Sequence, residues 1–396
     1  MKKRELKRIF AGFLIASVAL TGCNTGGSAE KTEQKPKEET AAKEETKEVK
    51  VEETDTAKQT AVFTEIKTEL DKAKEGQPVD WDLVLEKYKD GLQAPVAEIN
   101  GEYDQTIQTA IAAGKSGELE PVLAKQLVDK VTQAYFYQKQ KTLQKEAAAA
   151  VTEGQQEDAK LLFGQIKYLA EQIFIPTAAK RDEYYQLTGE ASIVENINSG
   201  LSAQEEALNA NKAEDFSVYV QLTDKSIYRS YYLASNSYAE KIEAAAKEGK
   251  DAGELKIMQV EAWGFLQAIK QSLSGGDEAA TAKLDEIFSL NTTDPSAIKA
   301  EEVSALFAKA IAGKIKGYYE KAPQAADAVE AKTEALEGNM FLKALEMELN
   351  KKLGEEKTAE VLTAAEEFYN LIAENKPEEA KAAGATVIEA VNQLIQ

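Results

Sequence analysis

Val122-Leu123-Ala124-Lys125-Gln126-Leu127-Val128-Asp129-Lys130-Val131-Thr132-Gln133-Ala134 sets apolar side chains at 122, 123, 127, 131 and 134. Steps of three and four residues collect side chains on one face of an α-helix. The same period recurs upstream in Phe63, Ile66, Leu70 and Ala73, and downstream in Leu162, Ile166, Leu169, Ala170 and Ile173. Prolines are few, and Pro78, Pro121, Pro176, Pro295 and Pro323 read as punctuation between helical segments. The brief alternation Phe216-Ser217-Val218-Tyr219-Val220 reads as a helix start, so the expected fold class is all-α.

The opening stretch has an internal echo. Gln126-Leu127-Val128-Asp129-Lys130 is matched 95 residues later by Gln221-Leu222-Thr223-Asp224-Lys225, and each copy is followed by an aromatic pair, Phe136-Tyr137 and Tyr231-Tyr232. Each then runs through alanine-rich sequence to Glu153-Gly154 or Glu248-Gly249, with another amphipathic helix beyond. A fainter third copy is Leu306-Phe307-Ala308-Lys309 with Tyr318-Tyr319, followed by a helix over 359–374. The expectation is tandem repeated helical modules packed into one elongated helical body, at 58–195, 196–280 and a divergent 281–396.

The N-terminus is of another kind. Lys2, Lys3, Arg4, Lys7 and Arg8 precede an apolar run from Ile9 to Leu20, too short for a bilayer span and flanked like a signal peptide. Leu20-Thr21-Gly22-Cys23 resembles a bacterial lipobox, which implies cleavage after residue 22 and lipid on Cys23. More than one acyl chain anchors stably where a single chain is marginal. Residues 23–57, rich in Lys, Glu, Thr and Ala, read as a charged, disordered tether. The expected location is the bacterial cell membrane, lipid-anchored and facing the extracytoplasmic side.

Composition excludes much chemistry. Cys23 is the only cysteine and there is no histidine, so disulfides, zinc–cysteine sites, iron–sulfur clusters, histidine-ligated haem and a serine–histidine triad are all ruled out. The net charge of −20, about −24 once residues 1–22 with their five basic side chains and Glu5 are removed, repels nucleic acid and attracts cations. Only oxygen donors remain for a metal, a set suited to hard cations such as ferric iron.

Asp224, Tyr228, Tyr231 and Tyr232 fall at helical spacing, where a carboxylate and phenols can share a face. With Glu261 from the following helix, Asp224, Tyr228 and Tyr232 form the expected metal set, and Asp129 with Tyr137 forms its counterpart in the first module. The competing reading makes every tyrosine a core aromatic with its hydroxyl satisfied at the rim. Gly76-Gln77-Pro78-Val79-Asp80-Trp81-Asp82 reads as a turn with Asp80 capping a helix. Glu98, Glu102, Tyr103 and Asp104 read as an acidic helix start, and no pair of carboxylates is spaced for catalysis, so no enzyme activity is expected.

Gly76, Asp80, Trp81 and Tyr88, the Asp-Lys helices with their aromatic pairs, and Glu261-Ala262-Trp263-Gly264-Phe265 together resemble the low-iron-inducible periplasmic iron-assimilation family of algae and their bacterial relatives, over about residues 60–375. That resemblance implies an extracytoplasmic iron-capture protein working with an importer or another envelope protein. It carries to Asp80, Trp81, Tyr88, the Asp129 and Asp224 helices and Glu261. The first copy has Gln165 and Tyr168 where the second has the Glu-Ala-Trp segment, which departs from one metal per repeat. The alternatives are a non-catalytic helical surface scaffold or interaction lipoprotein, and capture of a small organic ligand between modules.

Overall fold

Caps and prolines set the helix boundaries. The computed structural model describes residues 50–396; the expected signal peptide, Cys23 and most of the expected tether lie outside the described residues. Helical structure starts within 23–57, at a short turn Val51–Glu53, and α1 (Asp55–Asp71) opens on the side chain of Thr54, which accepts from the Ala57 N–H. The reason is packing. A Cβ on Gly164 would meet Val51 at 2.7 Å, and the Thr56 hydroxyl donates to Gln165 at 2.6 Å, so this end of the acidic stretch is fastened to a later helix.

Asp80 caps α2 (Trp81–Gly91) by accepting from the Leu83 N–H at 3.1 Å, as expected of it. Short α3 (Gln93–Ile99) leads to α4 (Gly101–Ser116), which Asn100 caps. Pro121 opens α5 (Pro121–Thr152), where a missing N–H costs nothing. The chain continues through α6 (Gln156–Leu169), a π-helical turn at Ala170–Phe174, and α7 (Ile175–Tyr185). Pro176 does not end this helix. It has no N–H for the Gln172 carbonyl and its ring crowds that group; the preceding turn widens, with Ile175 N–H bonding to Ala170, and the helix goes on.

Next come α8 (Ile193–Asn209), α9 (Ala213–Lys247) and α10 (Ala252–Ser274). The C-terminal part holds α11 (Glu278–Phe288), α12 (Ala300–Lys321), α13 (Ala328–Ala344), α14 (Glu346–Leu353), α15 (Glu355–Ala373) and α16 (Pro377–Leu394). Every regular element among the described residues is helical, so the fold is all-α. None of these helices is long and apolar enough to cross a membrane.

The sequence echo falls on the two longest helices, α5 and α9. Each is preceded by a helix of similar length, α4 or α8, and followed by a partner, α6 or α10. Residues Val51–Gln396 form one compact unit. α5 packs against α4, α6 and α10; α9 packs against α8, α10 and α13 and touches α5 and α12. From Thr223 to Ser237 every residue of α9 is buried, so this helix is enclosed on all faces. Gly264 lets α10 come close to α5, because a Cβ there would lie 2.4 Å from the Lys130 Cβ.

The aromatic pairs are joints between helices. Tyr137 of α5 meets Tyr231 of α9 with ring centroids 5.4 Å apart, and Tyr231 also meets Phe265 of α10 at 5.9 Å. Tyr228 sets its ring edge-on to Phe341 of α13 at 5.0 Å, and Tyr232 does the same to Phe307 of α12 at 5.1 Å.

Candidate functional site

Enclosure of α9 decides where the expected ligand residues go. On a helix with one solvent face, Asp224, Tyr228, Tyr231 and Tyr232 would converge; on this one they fan out toward four neighbours, α5, α10, α12 and α13. The structure does not bring Tyr137 to Asp129: its hydroxyl crosses to the other copy, donating to Asp224 Oδ1 at 2.8 Å. Tyr228 lies beside this pair, with its hydroxyl near Ser272 but without a well-aligned hydrogen bond. Tyr232 is a turn further along, among residues of α12 and α14. Glu261 is elsewhere, with Tyr238, Arg181 and Lys241 around it. Among the described residues no three carboxylates converge as a metal cluster.

Both repeated aspartates hold lysines. Asp129 accepts from Lys130 Nζ at 2.8 Å, Lys125 Nζ at 3.2 Å and Gln133 Nε2 at 2.9 Å. Burial works to raise its pKa, but the two ammonium groups and the Gln133 amide hold it well below the usual carboxylate range. Asp224 is kept low in the same way: burial opposes, while Lys225, with help from Lys141 and the Tyr137 hydroxyl, prevails. Lys225 also reaches Glu337 of α13 at 2.9 Å, and its own pKa is raised because these two carboxylates outweigh its burial. Burial, joined by the Asp224 charge, pushes the Tyr137 and Tyr228 phenols well above their ordinary value. Burial does the same for Tyr232, with Glu348 adding to it. These phenols are donors, and becoming phenolates would be costly.

Asp224 lines a cleft between α5, α9 and α13. The cleft has a volume of about 360 Å³ and is walled by Lys141, Gln144 and Lys145 of α5, by Ser217, Gln221, Asp224 and Lys225 of α9, and by Glu337. Both long helices present residues at steps of three, four and seven, 141/144/145/148 and 217/220/221/224, so one face of each helix lines it. Three of its four carboxylate oxygens are occupied: Asp224 accepts from Tyr137 and Lys225, and Glu337 Oε1 accepts from both Lys225 and the Tyr318 hydroxyl, the latter at 2.5 Å. Its donors are not. Gln144 is 1% exposed and its Nε2 has no hydrogen-bond partner; Gln221 Oε1 is likewise buried and unpartnered. Neither Lys141 nor Lys145 forms an ion pair among the described residues. A buried amide normally finds a partner, so one left open toward a cleft stands out.

No family model, curated protein or solved structure matches the chain. The site is therefore read from its chemistry alone.

A larger groove of about 1370 Å³ lies along α3, α4, α5 and α10 and shares Lys141 and Lys145 with the cleft. Its Tyr103 hydroxyl and Gln138 amide already donate to the Gln267 and Ala268 carbonyls, so these offer nothing to a ligand. Sequence reasoning singled out Asp224 and Tyr137 but missed Lys141, Gln144, Lys145, Gln221 and Glu337. The available signal was Lys141 and Gln144-Lys145 continuing the face of Tyr137, polar residues where a core-facing stripe should be apolar.

Proposed function

We propose that this chain is an exported, non-catalytic binding lipoprotein, tethered to the membrane through Cys23, that captures a small polar solute in the cleft between α5, α9 and α13 and holds it for an importer or another envelope protein. The observation that carries the binding reading is the buried, unpartnered Gln144 amide in the cleft wall beside two lysines free of ion pairs. Small-ligand sites are concavities with a few convergent polar groups, and at about 360 Å³ this one is at the small end of their range. The leader and Leu20-Thr21-Gly22-Cys23 support the anchoring. Labelled fatty acid should enter the wild-type protein, and Cys23→Ala should abolish both labelling and recovery with membranes; a labelled Cys23→Ala protein sinks the anchoring.

Capture of a hard cation, iron above all, is the second reading, and the Tyr137 O–H to Asp224 contact with Tyr228 alongside is what favours it. The donor types fit ferric iron, yet a lysine ammonium sits on each carboxylate of the pocket and an entering cation would have to displace it. Ferric titration of the purified protein separates the readings: a visible tyrosinate band supports iron, and its absence together with a solute-induced rise in thermal stability supports the solute. If neither raises stability, the anchored helical scaffold takes their place.

A further inference from the structure

The donors and acceptors facing the cleft do not balance, and the imbalance points to what would fill it. Asp224 uses Oδ1 for Tyr137 and Oδ2 for Lys225, while Glu337 Oε1 takes Lys225 and Tyr318. Lys225 is thus fully engaged between the two carboxylates, and of their oxygens only Glu337 Oε2 is uncommitted. Left over are the ammonium groups of half-buried Lys141 and exposed Lys145, and the Gln144 amide donor; against them stand two open acceptors, Gln221 Oε1 and Glu337 Oε2, and the charges of Lys141, Lys145 and Lys225 exceed those of Asp224 and Glu337 by one. We infer that the cleft takes a small oxyanion, a carboxylate or phosphate group, whose charge pairs with Lys141 and Lys145, whose oxygen accepts from Gln144, and whose body carries a donor for Gln221. This rests on the solute-binding reading proposed above and names the class of solute.

Charge supports the class. A cation meets two unpaired ammonium groups on this face and a third, Lys225, behind them. A neutral solute satisfies Gln144 but brings no charge to pair with either lysine. An anion satisfies all three, and because the chain as a whole is strongly acidic, only a local cluster of this kind can hold one. Placing the lysines one helical turn apart lets both reach the same group. Lys141 is further restrained, its Nζ 5.7 Å from the Tyr137 ring centroid.

The test uses the full chain in detergent, titrated by calorimetry and thermal shift with L-glutamate and inorganic phosphate, and with glucose and putrescine as neutral and cationic probes. The expected result is saturable binding of L-glutamate or phosphate, which identifies carboxylate or phosphate as the recognised head, and weakening by raised salt. Lys141→Gln with Lys145→Gln should weaken it about tenfold or more, the size of a lost charge-assisted contact. Gln144→Leu should also weaken it while leaving the ligand-free protein as stable as before or more so, since it removes an unsatisfied buried amide; a purely structural Gln144 would show the opposite. Anion binding that survives the double lysine variant overturns the assignment to this cleft. A response to glucose or putrescine alone overturns the anion class and leaves solute capture standing; no response to any of the four overturns both.

Discussion

Lys225→Met keeps the side chain's length and removes its charge, leaving Asp224 and Glu337 on α9 and α13 without the ammonium between them. Lys225 is 7% exposed and Asp224 3%, so water does little to replace the lost partner. Removing one member of a buried ion pair costs about 3–5 kcal/mol. Tyr137 and Tyr318 still donate to the two acids, which places the expected loss near the lower end, about 3 kcal/mol. With an unfolding entropy of about 2.1 cal/mol/K per residue, a unit of this size loses about 1.4 °C per kcal/mol, hence about 4 °C in Tm. The pH response should reverse in sign. In the wild type the Asp224 carboxyl is held below its ordinary value, so its contribution is present above the unfolded pKa and fades as pH falls through the lower folded value. In the variant burial acts with the main opposing charge gone and the folded pKa rises, so stability is greatest below the unfolded value and fades as pH rises through the folded one. Far-UV circular dichroism melts from about pH 2 to about pH 8 read both effects. A variant within about 1 kcal/mol of wild type at neutral pH, with an unchanged pH slope, would show that solvent from the cleft stabilises these charges and that Lys225 does not.

Three further outcomes follow from the packing. Gly264→Ala should cost about 1–3 kcal/mol, because its Cβ would press on Lys130, whereas Gly317→Ala, with open space around the new atom on α12, should stabilise by about 0.5–1 kcal/mol; paired thermal melts compare them. Phe341→Ala removes the ring that Tyr228 meets at 5.0 Å and Tyr318 at 5.7 Å and should cost about 3–5 kcal/mol in urea unfolding; a loss under about 1 kcal/mol would mean α13 repacks freely. Tyr319→Phe removes the buried hydroxyl that donates to Asn339 Oδ1, whose amide in turn donates to the Ala365 carbonyl, and should cost about 1–3 kcal/mol; slower hydrogen exchange in α15 of the variant would contradict this.

The helices were legible because their determinants are local. Spacings of three and four, the Asp80 cap and Pro121 at a first turn act within a few residues. Pro176 misled as punctuation because tertiary burial of Ile173 and Phe174 favoured continuing the helix through it. The candidate site was half legible. Asp224 and Tyr137 were each singled out, but sharing a helical face implies convergence only if that face meets one neighbour, and α9 meets several. The lysine on each aspartate was obscured for another reason: consecutive residues on a helix do not face each other, yet the long lysine stem folds back when the acid beside it is buried. Lys141, Gln144 and Glu337 belong to one site only through the packing of α5, α9 and α13, which no single segment encodes.

The widened turn at Ala170–Phe174 also sets an angular phase. An α-helix advances about 100° per residue, so by absorbing one surplus residue the widened turn keeps everything after it in the phase of an even helix one residue shorter. Arg181, Tyr184 and Tyr185 therefore face α9, where both tyrosine hydroxyls reach Glu240, only because the turn takes that surplus up. Deleting Glu171 should therefore restore an even pitch and leave those three side chains facing α9, because the residue removed is the surplus that the widened turn takes up.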